Sequence, residues 1–535
     1  MKTLVIGLDA ATMDLIEPWA ADGHLPTLAG LINEGASGRL LSTPNMHSAS
    51  AWTSILTGLN PGRHGLFVFS DRDFATGKQV FFKGGDRTGE LVSTHLARHG
   101  LTCGFLNVPM TYPAQCEPGG FTVSGLDSPS LNERAFCPPE LRGDLLSRFP
   151  DYHFAPPGLG DLMRAGRMDD AIAAWMKLIE IQTAAAEYLL EARPVDFFMT
   201  VYTASDWAGH NLWKDQRAPN EPPAANRLLQ IYRALDGAIA RLLDHTTDDT
   251  HIYVISDHGM GPHTGASYHL AKWLELKGYM VSANQSGKRA SLLRAGREIV
   301  SAVLPTKLKE EIKTALGDER MKRLQSAEKY AFYSSIDWTR TRVYTEAGRH
   351  VININLAGRN QNGIVPLHNY RAVCDEVIAE LLNWKDEQGL SVVERVAFRD
   401  DSYRGPYTER ASDLYIYWNR DARIPEPPPE VKARGFWWTG DHRPEGILIC
   451  KGEGIRQTRE LKSAIVYDFA PTLLHLAGLP VPEGLDGRVM EEILMEGRLP
   501  VRLTAVKSQA KGEAERLTTE EEKVIEDKLR GLGYL

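Results

Sequence analysis

The segment from Thr43 to Gly65 reads TPNMHSASAWTSILTGLNPGRHG. It predicts a polar turn, a short helix from Ala49 to Leu56 with Ser48 at its start, and a glycine- and proline-rich exit. A serine at a helix start commonly caps the helix by accepting a backbone N–H. The same position suits a nucleophile, because the positive end of the helix dipole stabilises an alkoxide and a phosphate oxygen. A nucleophilic serine also needs a base or a metal. The rest of the sequence must therefore show whether Ser48 is a helix cap or a nucleophile.

The chain begins with a short aliphatic run, Thr3 to Leu8, that ends at Asp9. Such a run predicts a strand buried on both faces, as in a parallel sheet. Open α/β sheets bind ligands at the carboxyl ends of their strands. Asp9 is therefore a candidate ligand, although a cap of the following helix is an equally good interpretation.

Two later predicted strands are also followed by polar side chains. Asp206 and His210 come after the strand from Val195 to Tyr202. They stand four residues apart and would share one face of a helical turn, as a metal pair or as a surface ion contact. Asp257 and His258 directly follow the strand from His251 to Ile255. An Asp-His pair at a strand end, with glycines behind it, favours a functional role.

Two more segments carry candidate residues. His442 is predicted in a Gly/Pro-flanked loop before the strand from Ile447 to Cys450, and it is a further candidate ligand. The strand from Thr102 to Val108 contains Asn107 near its end, and Pro109, Thr111 and Tyr112 follow it. By the same location rule these four residues are candidates for a pocket lining.

Amphipathic helices separate these strands, for example Met168 to Ala192 and Ala224 to Leu243. The alternation predicts an α/β fold with a doubly wound, mostly parallel sheet. We expect a first core part over residues 1–285, a helical cap inserted at 286–330, a second core part over 331–505 and a charged helical tail at 506–535. The basic cap segment favours a solvated helical insertion over an amphipathic helix on a membrane surface.

Composition narrows the class of protein. The formal net charge of −8 over 535 residues argues against a nucleic-acid binder. The five cysteines are scattered, which predicts reduced thiols in place of a disulfide framework. The apolar run at the N-terminus is too short for a signal peptide, and no stretch is long enough to span a bilayer. We therefore expect a cytoplasmic protein.

The polar residues at strand ends share one explanation. They are Asp9, Ser48, Asp206, His210, Asp257, His258 and His442. Nitrogen and oxygen ligands without thiolate suit zinc, with manganese second. The set is too large for one tetrahedral ion and fits two. Two metals can clamp the attacking and leaving oxygens of an in-line phosphoryl displacement and can activate Ser48.

These motifs resemble the alkaline phosphatase superfamily, in particular its nucleotide pyrophosphatase/type I phosphodiesterase branch. Two further segments, YDFAPTLLHLAGLP and LRGLGYL, resemble the bacterial and archaeal phosphohydrolases of that branch. The matching pieces are VIGLD, SASAWTSILTG followed by PGRHG, DWAGH, SDHGM and GDHRPEG, which occur in the family's order. The resemblance implies one zinc held by Asp206, His210 and His442. It implies a second zinc held by Asp9, Asp257 and His258, with Ser48 as nucleophile and ligand.

The chain also departs from the family pattern. Nucleotide pyrophosphatases typically use threonine as nucleophile and place an asparagine about twenty residues later to hold a phosphoryl oxygen. Here that region reads LFVFSD, without asparagine. Nucleotide specificity is therefore not implied. Ser50 is the alternative nucleophile, although Ser48 has the better spacing to Thr57 and Gly58.

The sequence thus predicts a metal-dependent phosphoric ester hydrolase acting on a small phosphate ester, more specifically a diester. One alternative is a phosphomonoesterase or a phosphoglycerate-mutase-like phosphotransferase, which would use the same metals. The other is a non-catalytic metal-binding or lipid-surface protein acting through the basic cap. The sequence leaves the oligomeric state open.

Overall fold

The computed structural model describes residues 1–217, 226–283, 333, 335–345, 349–424, 438–496, 503–504 and 517–532. The predicted helical cap at 286–330 lies outside these ranges, so it stays a prediction, as do the other domain boundaries. No helix in the described ranges is both long and apolar enough to cross a membrane.

The strands are, in chain order, β1 (Thr3–Leu8), β2 (Ala36–Leu41), β3 (Ser70–Arg72), β4 (Gln79–Phe81), β5 (Cys103–Val108), β6 (Phe121–Ser124), β7 (Phe136–Cys137), β8 (Phe197–Tyr202), β9 (His251–Ile255), β10 (Gly259–Pro262), β11 (Val343–Tyr344), β12 (Val351–Ile354), β13 (Val393–Phe398), β14 (Leu414–Trp418), β15 (Gly440–Arg443), β16 (Glu445–Lys451), β17 (Val481–Pro482) and β18 (Leu503–Thr504). The α-helices are α1 (Met13–Ala21), α2 (Pro26–Glu34), α3 (Ser48–Thr57), α4 (Pro61–His64), α5 (Val92–Arg98), α6 (Leu141–Arg148), α7 (Leu159–Arg164), α8 (Met168–Ala192), α9 (Ala204–Leu212), α10 (Arg227–Leu243), α11 (Ala266–Leu276), α12 (Tyr370–Leu382), α13 (Arg399–Ser402), α14 (Phe469–Leu476) and α15 (Thr519–Leu532).

Eight strands form a central sheet in the order β2-β16-β9-β1-β8-β5-β6-β7. The five strands from β9 to β6 run parallel, while β16 is antiparallel to both β9 and β2, and β7 is antiparallel to β6. Alternate residues of β1 enter two different apolar clusters: Leu4, Ile6 and Leu8 face one side, and Val5 faces the other. Helices cover both faces of the sheet, which confirms the predicted doubly wound α/β fold.

A second sheet is formed by strands that lie between β9 and β16 along the chain. Strands β11, β12, β14 and β13 form an antiparallel sheet in that order. Together with α11 and α12 this sheet has its own apolar cluster, which includes Leu270, Ile354 and Val377. The strands from β11 to β14 therefore belong to this second sheet and not to the central sheet.

The cysteines correct one expectation. Cys116 and Cys137 form a disulfide, while Cys103, Cys374 and Cys450 are buried free thiols. The prediction of reduced thiols is wrong for the bonded pair. Twenty-one residues separate the two cysteines along the chain. β7 pairs with β6, with Thr122 opposite Cys137, and this pairing brings Cys137 back to the edge of the sheet near Cys116.

The C-terminal helix α15 lies within the segment 506–535, for which a charged helical tail was predicted. Ile525 and Leu529 are buried in the larger central core cluster. Glu521 accepts hydrogen bonds from Tyr112 Oη at 2.8 Å and from Arg134 at 3.1 Å. The charged tail therefore packs on the loops that follow β5 and β6.

Candidate active site

Three neighbouring strands bring the candidate carboxylates to one edge of the sheet. β9, β1 and β8 are adjacent and parallel, so their carboxyl ends lie side by side. Asp257 follows β9, Asp9 follows β1, and Asp206 lies in the first turn of α9, just after β8. All three side chains are at most 1% exposed. The strand-end rule therefore places them correctly.

His442 reaches this edge by a different route. It was predicted in a loop, but it lies in β15, where it pairs with Met260 of β10. β10 begins one residue after His258, so the two-stranded β10-β15 sheet carries His442 back to the strand ends. The rings of His258 and His442 stack with centroids 3.8 Å apart. The loop prediction is wrong because strand pairing between segments 180 residues apart leaves no local pattern.

Ser48 is the first residue of α3, and the residue that caps this helix is the preceding one, His47. His47 Nδ1 accepts the backbone N–H of Ala49 at 3.2 Å. The capping interpretation of Ser48 is therefore wrong. Its Oγ lies 3.4 Å from Asp9 Oδ1 and 3.2 Å from His258 Nε2.

The alternative nucleophile has a different environment. Ser50 Oγ lies 2.9 Å from Thr43 Oγ1, and it contacts Asn45 Oδ1 at 2.9 Å and the His47 carbonyl at 2.8 Å. These contacts tie Ser50 to the loop before α3. Ser48, in contrast, faces the strand-end residues.

The three imidazoles share one bonding pattern. The Nδ1 atom of His210 contacts the Gly440 carbonyl at 3.0 Å, that of His442 the Met46 carbonyl at 2.7 Å, and that of His258 the Gly259 carbonyl at 3.2 Å. Because a carbonyl can only accept, each Nδ1 carries the proton. When neutral, each ring presents a lone pair at Nε2.

These lone pairs converge. His210 Nε2 and His442 Nε2 lie 2.9 Å apart, and they are 3.4 Å and 3.3 Å from Asp206 Oδ1. Two lone pairs at that distance repel unless a proton or a metal ion lies between them. The donor set therefore fits a divalent metal held by Asp206, His210 and His442, which form one candidate metal cluster.

The second cluster contains Asp9, Asp206 and His258. Asp257 adjoins it, because its Oδ2 lies 3.2 Å from His258 Nε2. Asp257 Oδ1 accepts the Ala10 N–H at 3.2 Å. The structure thus brings all seven predicted residues together, with Asp206 shared by both clusters.

The electrostatics of the site also suit a cation. Burial, together with the charges of Asp257 and Asp206, raises the pKa of Asp9 well above its usual value, and burial raises the pKa of Asp257 to about 6. Burial also lowers the pKa of His258 well below its usual value, which keeps the ring neutral. Burial alone would raise the pKa of Asp206, but His210 and His442 hold it well below normal. Buried like charges of this kind are stabilised by a bound divalent ion.

Sequence reasoning missed the groups that orient these ligands. Trp52 Nε1 donates to Asp9 Oδ2 at 3.2 Å. Its position four residues after Ser48 on a helix was a usable signal. The sequence carries no such signal for the Met46 carbonyl, which accepts from His442 Nδ1. Nor does it indicate the φ of +46° at Met46, a value that is unusual for a residue other than glycine.

Tyr417 of β14 in the second sheet, Tyr403 before that strand and Trp438 after it also contact the site or the loop beside it. Tyr417 Oη donates to the Pro44 carbonyl at 2.9 Å, and Tyr403 Oη donates to Asn45 Oδ1 at 3.1 Å. The Trp438 ring stacks on His210 with centroids 4.0 Å apart. The loop before Ser48 is thus held between the two sheets.

Comparison with solved structures places the chain among known folds. Alkaline phosphatase PafA has a TM-score of 0.50 at 14% identity, over 92% of this chain and 98% of that one. Human ectonucleotide pyrophosphatase/phosphodiesterase 5 has a TM-score of 0.48 at 13% identity, over 92% of this chain and 100% of that one. Phosphonoacetate hydrolase from Sinorhizobium meliloti, in complex with phosphonoformate, has a TM-score of 0.49 at 14% identity, over 88% of this chain and 94% of that one. At these identities the likeness concerns the fold alone.

Sequence comparison gives the family. No curated protein sequence matches the chain significantly. The family model for type I phosphodiesterase / nucleotide pyrophosphatase, in contrast, matches residues 3–440, which is most of the chain. The chain therefore belongs to the type I phosphodiesterase / nucleotide pyrophosphatase family, and it is a phosphoric ester hydrolase, as the sequence predicted.

Proposed function

We propose that this protein hydrolyses a small phosphate diester with Ser48 as nucleophile and two divalent metal ions. The single observation that carries the proposal is the position of Ser48 Oγ, 3.4 Å from Asp9 and 3.2 Å from His258, beside the paired Nε2 atoms of His210 and His442. Enzymes of this family depend on divalent metals. Zinc suits the nitrogen and oxygen donors best, and manganese is the second choice.

The seven residues divide into two proposed ligand sets. Asp206, His210 and His442 would hold one ion. Asp9, Asp257, His258 and the oxygen of Ser48 would hold the other, and Asp206 lies close enough to contact both. When bound, the ions would lower the pKa of the Ser48 hydroxyl and stabilise negative charge on the phosphoryl and leaving oxygens.

The chain's own groups supply the rest of the reaction. Ser48 gives up its proton and its Oγ attacks phosphorus in line, the bond to one leaving alkoxide breaks, and a serine phosphodiester forms that keeps the second substituent. Water cleaves the bond to Ser48 in a second step, which releases a phosphate monoester and restores the serine hydroxyl. The positive end of the α3 dipole favours negative charge on the equatorial oxygens, since Ser48 begins this helix. Ser48 is 1% exposed, so the reacting atoms are shielded from bulk water.

The test is Ser48→Ala in the metal-loaded protein. We expect a loss of at least about 10³-fold in kcat with an aryl phosphodiester, because the attacking oxygen is gone. Metal content, measured by elemental analysis, should stay near that of the wild type, because the other six ligands remain. Ser50→Ala is the matched control and should retain most of the turnover. Near-normal activity of Ser48→Ala would refute the assignment.

Substrate class and location complete the proposal. Comparing aryl mono-, di- and sulfate esters as substrates tests the preference for diesters, and a higher kcat/KM for monoesters would overturn it. A cytoplasmic location stays a prediction from the sequence. The Cys116–Cys137 disulfide is typical of oxidising compartments and argues against it. Cell fractionation would decide between the two.

A further inference from the structure

Asn107 has an unusual backbone at the carboxyl end of β5. Its φ is +59°, a region that residues other than glycine rarely adopt. The register between β5 and β6 shifts between Leu106 and Val108, so Asn107 forms a bulge. Bulges and such backbone outliers concentrate near active sites, where they redirect a side chain.

The side-chain amide of Asn107 is only half satisfied. Its Oδ1 accepts a hydrogen bond from Tyr152 Oη, and burial raises the pKa of Tyr152, which keeps that hydroxyl a donor. The Nδ2 group is buried and finds no acceptor among the residues that the structure describes. Leaving a buried amide donor without an acceptor is costly, so such a group calls for a ligand oxygen.

The sheet places the end of β5, which carries this donor, beside the strand ends that carry the candidate metal ligands. β5 is the neighbour of β8, so the carboxyl ends of β9, β1, β8 and β5 form one continuous row. Leu106 and Ile6 are both paired with Thr200, so Asn107 is level with Gly7, two residues before Asp9. Two strand spacings, about 10 Å, separate the backbones of β5 and β1. The first three strand ends carry the metal ligands, and the fourth carries the amide.

We propose that Asn107 Nδ2 donates a hydrogen bond to an oxygen of the phosphate group bound at Ser48. This chain lacks the asparagine that related pyrophosphatases place about twenty residues after the nucleophile, and Asn107 lies on a different strand, 59 residues after Ser48. The inference rests on the proposed function for the presence of phosphate at this site. Tyr152 is then a positioning residue: its hydroxyl bonds Asn107 Oδ1 and so turns Nδ2 away from Tyr152.

The experiment compares wild type, Asn107→Asp and Asn107→Ala, each loaded with zinc. Binding of inorganic phosphate is measured by calorimetry, metal content by elemental analysis, and kcat and KM with an aryl phosphodiester. Asp keeps the size of the side chain but replaces the donor with a repelling carboxylate. We expect phosphate to bind at least 10-fold more weakly and kcat/KM to fall about 10²-fold in both variants, with the larger loss for Asp and unchanged metal content.

Tyr152→Phe separates orientation from donation. This variant keeps the Asn107 amide donor but removes the hydroxyl that orients it, so phosphate binding should weaken less than in Asn107→Ala. If Asn107→Asp fails to fold, the Ala variant decides. Phosphate binding equal to wild type in both Asn107 variants would overturn the inference, and so would a loss that follows loss of metal.

Failure of the proposed function is distinguishable from failure of this inference. A wild type that hydrolyses no ester, yet binds phosphate more tightly than the Asn107 variants do, would refute the hydrolysis and support the role of Asn107. A metal-loaded wild type that binds no phosphate would overturn the role of Asn107.

Discussion

At the scale of single residues, Trp52 shows how the core and the site share side chains. Its indole N–H donates to Asp9 Oδ2, while its ring packs under Gly7 so closely that a Cβ there would lie 2.6 Å from it. Gly7 is therefore required for the close approach of α3 to β1. Groups that hydrogen-bond metal ligands commonly set their orientation and affinity.

We predict that Trp52→Phe weakens zinc binding by about 10- to 100-fold, because Asp9 loses its donor while the aromatic packing is largely kept. Competition with a chelator of known affinity measures the change. Trp175→Phe is the matched control: Trp175 is 0% exposed, and its Nε1 has no hydrogen-bond partner within the described part of the chain. Equal zinc affinity in the two variants would show that the bond to Asp9 does not matter.

At the scale of elements, α15 adds a half-buried lysine next to the loop that follows β6. Lys528 Nζ donates to the carbonyls of Ser128 and, at 3.4 Å, Leu126, and it lies 5.3 Å from the centre of the Phe154 ring. Burial lowers the pKa of Lys528 from 10.5 to about 8, although the charge of Asp127 opposes this shift. We therefore expect the docking of α15 to depend on pH.

The sign of this dependence follows from proton binding. Between pH 8 and pH 10.5 the unfolded chain binds more protons at Lys528 than the folded chain does, so the free energy of unfolding rises with pH. We predict that the wild type gains up to about 3 kcal/mol in this window relative to Lys528→Met. Denaturant unfolding at pH 8 and pH 10 measures it. Lys272→Met, at an exposed lysine paired with Glu275, should change the slope little.

At the scale of the whole molecule, the candidate metal site joins distant parts of the chain. Its residues run from Asp9 to His442 and come from β15, from α3 and α9, and from the segments that follow β1 and β9. An ion bound only by the folded chain stabilises it by RT ln(1 + [L]/Kd), about 2.7 kcal/mol at 100 times Kd. Metal binding should therefore affect global unfolding.

We predict that chelation lowers the thermal midpoint, and that the gap between zinc-loaded and chelated protein widens from pH 5 to pH 8. The raised pKa of Asp257, about 6, means that the chelated form is stabilised by protonation at low pH and loses that stability as pH rises through 6. Differential scanning fluorimetry in matched buffers measures both midpoints. A gap independent of pH would contradict a metal bound by these carboxylates.

Local patterns in the sequence were enough for much of the fold. The apolar run of β1, the helical spacing of α8 and the aspartates after strands predicted a parallel sheet and the edge at which ligands gather, because strand period and helix period are properties of neighbouring residues. The order of the motifs predicted the family. The sequence also predicted all seven residues that the structure brings together.

Only the tertiary structure decided how those residues are oriented and what else surrounds them. The strand carrying His442, the Met46 carbonyl that bonds it, the Cys116–Cys137 disulfide and the second sheet above Pro44 each depend on pairings between segments far apart in sequence. The unsatisfied amide of Asn107 became visible only when its neighbours were known. Register and burial are properties of contacts between distant residues, so no local period in the chain encodes them.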